Sequence, residues 1–176
     1  MVTTTIRALE RSDVRTGFEC GNPLLDRYLT DFAWQNQQRH RLSVTYVAVV
    51  EPTRSVLGYV AVSAGEVSPD ARSSVPVPAS FAGHPPALRI GWLAVDRRFQ
   101  RQGLGRALLA HAIDVAGKQR SLSGCAAVLI EALPGTVEFY QSVDFTPVEL
   151  KEGGSAVRPR LVPMVLHSGK VDRFLA

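Results

Sequence analysis

Residues Ile90 to Ala110, IGWLAVDRRFQRQGLGRALLA, join an apolar strand to an apolar helix through a short basic loop. Inside the stretch, Gln100-Arg-Gln-Gly103-Leu-Gly105 fits the pattern Gln/Arg-x-x-Gly-x-Gly/Ala. Glycines at a strand-to-helix junction let a backbone approach an anion closely. The helix that follows points unpaired N–H groups and a partial positive charge outward. Together these make a site for a pyrophosphate. Gly-x-Gly alone is equally a tight turn entering a helix. The strand before it, the arginines within it and a tyrosine further on give the stretch its meaning.

Outward from that stretch, Ala87 to Val95 reads as a central strand. Leu104 to Gly117 reads as a helix with Leu104, Ala107, Leu108, Ala112 and Val115 facing inward. Ala126 to Ala132 is a buried strand, Pro134 opens a short helix through Tyr140, and Phe145 to Leu150 and Leu161 to Leu166 form a closing pair around Gly153-Gly154. Upstream, Thr3 to Leu9 is a first strand. Asn22 and Pro23 supply a cap and a first-turn proline for a helix to about Gln38, whose Leu25, Tyr28, Leu29 and Phe32 fall on one apolar face. Val44 to Val50 and Val56 to Ala64 are strands joined by a turn, Glu51 to Ser55. Val67 to Pro86, rich in Pro, Ser and Ala, reads as a long loop of the kind that often carries function. Gly58 and Gly91 mark bulges or close approaches. The pattern predicts an α/β chain: one domain over residues 1–176, with a mixed sheet and helices on both faces.

At 176 residues the chain is long enough for a substantial core. Its 45% hydrophobic and 20% charged content is that of an ordinary globular protein. No apolar run approaches the roughly 20 residues of a membrane span, and the N-terminus lacks an apolar signal core, so cytoplasmic residence is expected. Cys20 and Cys125 are far apart and the four histidines have no ligand spacing, so neither a disulfide framework nor a metal is expected. Cys125 reads as a small buried hydrophobe at a strand start. The net charge is +4, and its placement is uneven. One basic cluster runs from Arg97 to Arg120, a second is Arg39-His40-Arg41, and a third holds Lys151, Arg158 and Arg160. Such clusters are solvated faces or a track for a polyanion.

The Trp92-Leu-Ala-Val-Asp96 strand, the Gln100–Gly105 loop and Phe139-Tyr140-Gln-Ser-Val-Asp144-Phe145 together resemble the GNAT superfamily of acetyl-coenzyme A-dependent N-acetyltransferases. The resemblance covers nearly the whole chain. It implies two central parallel strands that splay apart to admit the cofactor. The backbone of Leu93, Ala94 and Val95 would pair with the pantetheine arm. Gln100, Arg101, Gln102, Gly103, Leu104, Gly105 and Arg106 would hold the pyrophosphate. Tyr140 would sit near the thioester.

Acetyl transfer needs a neutral amine, a polarised carbonyl and a proton for the departing thiolate. Strand amides can supply polarisation, and Tyr140 is the natural proton donor. Glu131 is a candidate general base and equally a solvated strand end. An α-amino group, with a pKa near 7.7, is about one-third neutral at physiological pH and needs a base far less than a lysine does.

Phe18-x-Cys20-Gly21-x-x-x-Leu25-Asp26-x-Tyr28-Leu29, followed by Ala33, is similar to the start of GNAT toxins of bacterial toxin–antitoxin modules, which acetylate aminoacyl-tRNA. This resemblance implies aminoacyl-tRNA as acceptor and a cognate antitoxin as partner, and leaves room for a homodimer. Arg39, Arg41, Arg89, Arg97 and Arg98 are the candidate RNA contacts. Two other readings are an ordinary GNAT enzyme acting on a small amine or a peptide N-terminus, and a non-catalytic GNAT-fold binding module, against which the intact glycine loop and Tyr140 argue. Two positions depart from the toxin pattern: Trp92 stands where arginine is usual, and Asp144 where glycine is usual.

Overall fold

A computed structural model describes residues 3–149 and 160–175, and the side chains of Thr3 and of 172–175 are outside the description. Leu150, Lys151, Gly153, Gly154 and Arg158 therefore lie outside the described residues. The strands are β1 (Thr3–Ala8), β2 (Val44–Glu51), β3 (Ser55–Glu66), β4 (Pro86–Val95), β5 (Ala127–Ala132), β6 (Thr146–Pro147) and β7 (Val162–His167). They form one mixed sheet in the order β1-β2-β3-β4-β5-β7-β6. The helices are α1 (Pro23–Arg27), α2 (Ala33–Gln38), α3 (Leu104–Ser123), α4 (Val137–Gln141) and α5 (Ser168–Leu175). No helix among the described residues is long and apolar enough to cross a membrane.

The chain divides into two compact units: residues 1–63 with 91–112, and residues 64–90 with 113–176. In the first, β1, β2 and β3 pair antiparallel, from Thr3↔Glu51 to Ala8↔Tyr46 and from Val44↔Val62 to Val50↔Ser55. Its core holds Leu9, Phe18, Tyr28, Leu29, Ala33, Val47, Val49, Tyr59 and Ala94. In the second, β5 pairs antiparallel with β7 and parallel with the start of β4. Val67, Ala71, Val75, Ala87, Ala127, Val148 and Val165 form its core.

Three sequence readings are corrected. The helix begun at Pro23 is interrupted by a π-helical turn, Tyr28–Phe32, in which the Ala33 N–H reaches the Tyr28 carbonyl. The extra residue in that turn rotates the register. Ala33 is buried and Phe32 is exposed, although the 3.6-residue spacing placed Phe32 inward. Helix α3 runs six residues past Gly117, to Ser123, and its stop is Gly124 at φ +85°. Its buried side chains are Leu108, Leu109, Ala112, Ile113 and Ala116, while Ala107 is exposed. The Val67–Pro86 segment is not simply an open loop. It buries Val67, Ala71, Val75 and Pro85, and Arg72 donates to the carbonyls of Phe81 and Gly83.

Asp144 occupies the position where the toxin pattern has glycine, and it adopts φ +67°. It follows the last turn of α4, where the N–H groups of Val143 and Phe145 both reach the Tyr140 carbonyl. A left-handed residue in that role is most easily glycine. Asp144→Gly is expected to stabilise the fold by about 0.5–1 kcal/mol without altering turnover. Chemical denaturation and an acetyl-transfer assay check both halves; an unchanged or lower midpoint would show that aspartate carries no strain there.

Candidate active site

The loop after β4 is built by its neighbours in sequence and by a segment far away. Asp96 is almost fully buried and receives the Arg98 backbone N–H at 3.0 Å and the Arg98 guanidinium at two oxygens, both at 2.8 Å. The Arg98 hydrogen bonds hold its carboxyl below the ordinary aspartate range despite burial. The single 3-10 turn Arg97–Phe99 follows from that cap. The Gln100 side chain donates to the carbonyls of Val95 and Cys20, both at 2.8 Å, and the Gln102 side chain donates to the Arg98 carbonyl at 3.1 Å. The Gln100 and Gln102 side chains are therefore occupied in bracing the loop. What the loop leaves outward is its backbone and the exposed Arg101 and Arg106.

Gly103 at φ +85° turns the chain into α3, and a Cβ placed there would meet nothing within 4 Å. The Ala107 N–H is the first to bond back, to the Gly103 carbonyl at 3.0 Å. The amides of Leu104, Gly105 and Arg106 thus have no partner inside the helix. At the strand end, the recorded pairing of β4 with β5 stops at Ile90↔Ile130, while β4 continues to Val95. Gly58 on β3 must be small: a Cβ there would lie 2.9 Å from Leu108 Cδ1 and 3.0 Å from the Ala94 carbonyl oxygen. Gly91 has open space around it and is no close approach.

The segment from Phe18 to Asn22 buttresses this loop. The Arg97 N–H donates to the Glu19 carbonyl at 2.8 Å, and the Glu19 N–H to Asp96 at 3.3 Å. Asp26 accepts the Cys20 N–H at 2.8 Å. Gly21, at φ +102°, lies so close to the Arg97 guanidinium that a Cβ would come within 3.1 Å of Nε. Burial pushes the Cys20 thiol up to about 11, which makes it a packing group. Helical spacing could not explain Cys20, Gly21 and Asp26; these contacts do, and Phe18 is held by the core of the first unit. The sequence showed the cluster but not its target about eighty residues away.

The candidate arginines differ in what they already hold. Arg97 pairs with Glu19 at 2.9 Å and Arg98 with Asp96. Arg89, in the second unit, pairs with Glu131 at 2.5 Å with both side chains half exposed. Among the described residues no carboxylate pairs with Arg39, Arg41, Arg101 or Arg106, all of them exposed. The pairing gives Glu131 a partner on the neighbouring strand.

In the second unit, Tyr140 is 5% exposed on α4 and packs edge-on to Phe139 and Phe145, with ring centroids 5.0 and 5.8 Å away. Burial raises its phenol pKa well above the ordinary value, so it is neutral throughout the physiological range. Among the described residues nothing hydrogen-bonds its hydroxyl. A protonated, unengaged O–H of this kind can donate to a departing anion.

The family model described as Acetyltransferase (GNAT) family matches residues 6–145, and the chain belongs to that family. A curated relative, the tRNA-acetylating toxin of Mycobacterium tuberculosis (strain ATCC 25618 / H37Rv), is 32% identical over 145 residues, 79% of this chain and 82% of that one. The structure of AtaT complexed with acetyl-methionyl-tRNAfMet superposes with TM-score 0.80 at 24% identity, covering 99% of this chain and 100% of that chain. A mutant AtaT toxin bound to the C-terminus of the antitoxin AtaR and acetyl-CoA gives TM-score 0.75 at 24% identity over 98% of each chain.

Proposed function

We propose that the chain transfers the acetyl group of acetyl-CoA to the α-amino group of aminoacyl-tRNA and thereby blocks translation. The observation that carries the acceptor is the relationship to the tRNA-acetylating toxin. Charge agrees with it. The first unit holds 11 arginines against 7 carboxylates, and the second 9 basic against 9 acidic residues, so the whole net +4 belongs to the unit with the loop. Acetyl-CoA supplies an activated thioester. The amides at the start of α3, with Arg101 and Arg106, suit its pyrophosphate, and the Leu93–Val95 backbone suits its pantetheine arm. Tyr140 holds a proton for the departing sulfur. An α-amino acceptor is partly neutral at physiological pH and needs a base less than a lysine does. A cognate antitoxin is the protein partner this reading implies, and the cytoplasm its location.

Incubation with labelled acetyl-CoA and total aminoacyl-tRNA, followed by mass spectrometry, should show N-acetylated aminoacyl ends. Label on small amines or peptide N-termini alone would put an ordinary GNAT enzyme in its place. Arg39→Ala with Arg41→Ala is expected to raise the apparent constant for aminoacyl-tRNA. The double change should also flatten the log–log salt slope by about one unit per lost phosphate contact, with the acetyl-CoA constant unchanged. A salt slope equal to wild type would move the RNA track away from these residues.

A further inference from the structure

Trp92 ends a column of aromatic rings. It stacks on Tyr28 with centroids 4.6 Å apart and planes 17° from parallel, and Tyr28 stacks on Tyr59 at 5.8 Å and 22°. Phe18 closes the inner end at 5.8 Å and 58°. The inner rings are fixed by their hydroxyls: Tyr28 hydrogen-bonds with the Ser43 hydroxyl at 3.1 Å, and Tyr59 donates to the Leu25 carbonyl at 2.8 Å. Tyr28 begins the π-helical turn, and its backbone carbonyl accepts the turn's wide hydrogen bond. Inner rings are almost fully buried, whereas Trp92 is 37% exposed. An indole held rigid on one face and left open to water is a ready stacking surface. It stands one residue before the Leu93–Val95 segment, a step of about 3.3 Å along the strand. The same unit carries the chain's excess positive charge and the unpaired Arg39 and Arg41.

We propose that Trp92 is the platform on which the 3′-terminal adenine of aminoacyl-tRNA stacks, so placing the aminoacyl ester beside the acetyl donor. The inference rests on the aminoacyl-tRNA reading above and adds a binding residue to it. Every aminoacyl-tRNA ends in the same adenosine, and its ribose carries the reacting amino acid. A π-face is therefore presented at a fixed distance from the amine whatever the side chain. Stacking on an aromatic side chain is indifferent to base sequence and needs no hydrogen-bond pattern. The arginine usual at this position in the toxins can also stack, but it brings a charge; tryptophan gives a larger face without one.

The test is steady-state kinetics of Trp92→Ala and Trp92→Phe on two aminoacyl-tRNAs, one glycyl and one with a bulky aliphatic side chain. Trp92→Ala should raise KM for both by about 10-fold, with kcat and the acetyl-CoA constant near wild type. Trp92→Phe should recover most of the loss. The second measurement needs no turnover. With Trp34→Phe as background, Trp92 is the remaining tryptophan, and deacylated tRNA ending in adenosine should quench its emission. The same tRNA lacking that terminal nucleotide should quench far less. A KM penalty confined to one amino acid would assign Trp92 to the side chain and overturn the proposal. Equal quenching by both tRNAs, or an unchanged KM in Trp92→Ala, would also overturn it while wild-type acetylation of aminoacyl-tRNA leaves the functional reading standing. Absence of that acetylation in the wild type sinks both.

Discussion

Tyr140→Phe is expected to leave folding and acetyl-CoA affinity intact and to cost at least about 10²-fold in kcat. The prediction follows from what the hydroxyl does not do. Among the described residues it makes no hydrogen bond, so its removal strands no partner. Its ring contacts with Phe139 and Phe145 survive unchanged in phenylalanine. The one property lost is a proton held in a buried place. The thiolate leaving acetyl-CoA has a pKa near that of an ordinary thiol, about 8.5, below the phenol's. Full transfer from Tyr140 alone is uphill, and the balance is met when the attacking nitrogen, which must lose a proton to become an amide, replaces the one Tyr140 gives to sulfur. Thiol release measures kcat and calorimetry measures acetyl-CoA binding. A variant that turns over at the wild-type rate would make Tyr140 an aromatic anchor only.

Gly103→Asp is expected to weaken acetyl-CoA binding by 100-fold or more, on the order of 3 kcal/mol. Two effects act in the same direction. The backbone sits at φ +85°, which strains any residue with a Cβ. The added carboxylate lies at a helix start, where it can engage the amides of Leu104, Gly105 and Arg106 itself and repel a pyrophosphate. Because a Cβ there meets nothing within 4 Å, the change should not disturb the core. Gly103→Ala separates strain from charge and should lose far less. Calorimetry showing near-native affinity in Gly103→Asp would remove the loop from the pyrophosphate site.

Most of the fold was legible because its signals are local. Asn22 caps α1 through a side-chain hydrogen bond to the Leu24 N–H, with Pro23 at the first turn, as its sequence announces. The β-branched runs at Val44 and Val56 pair as a hairpin. Errors arose where one local cue was overruled. Gly117 looked like a helix end, but α3 continues to Ser123, and the left-handed glycine comes at 124. The period of 3.6 failed at Phe32 because a π turn holds more residues. The closing strands and the C-terminal helix were partly hidden for a different reason: β6 is two residues long, and α5 has too few residues to show a period. At the candidate site, the glycine loop and Tyr140 were readable as motifs. The bracing by Gln100, Asp96 and the Phe18–Asn22 segment was not, because its partners are 77 and 80 residues apart in sequence.

That separation has a consequence for the order in which the molecule is made. The α3 amides can form as soon as the helix does, in microseconds and from neighbouring residues. The shape of the loop before them waits on closure of a contact spanning nearly half the chain, between Cys20 and Gln100. Long-range closures of this kind carry a larger entropy cost than local ones. The finished loop therefore depends on that contact, and a chain whose first twenty residues are displaced would keep the glycines and the helix yet lack the loop's bracing. Because acetyl-CoA would favour the finished loop, its binding energy would reach back to residues 18–22 and hold the N-terminal segment in place.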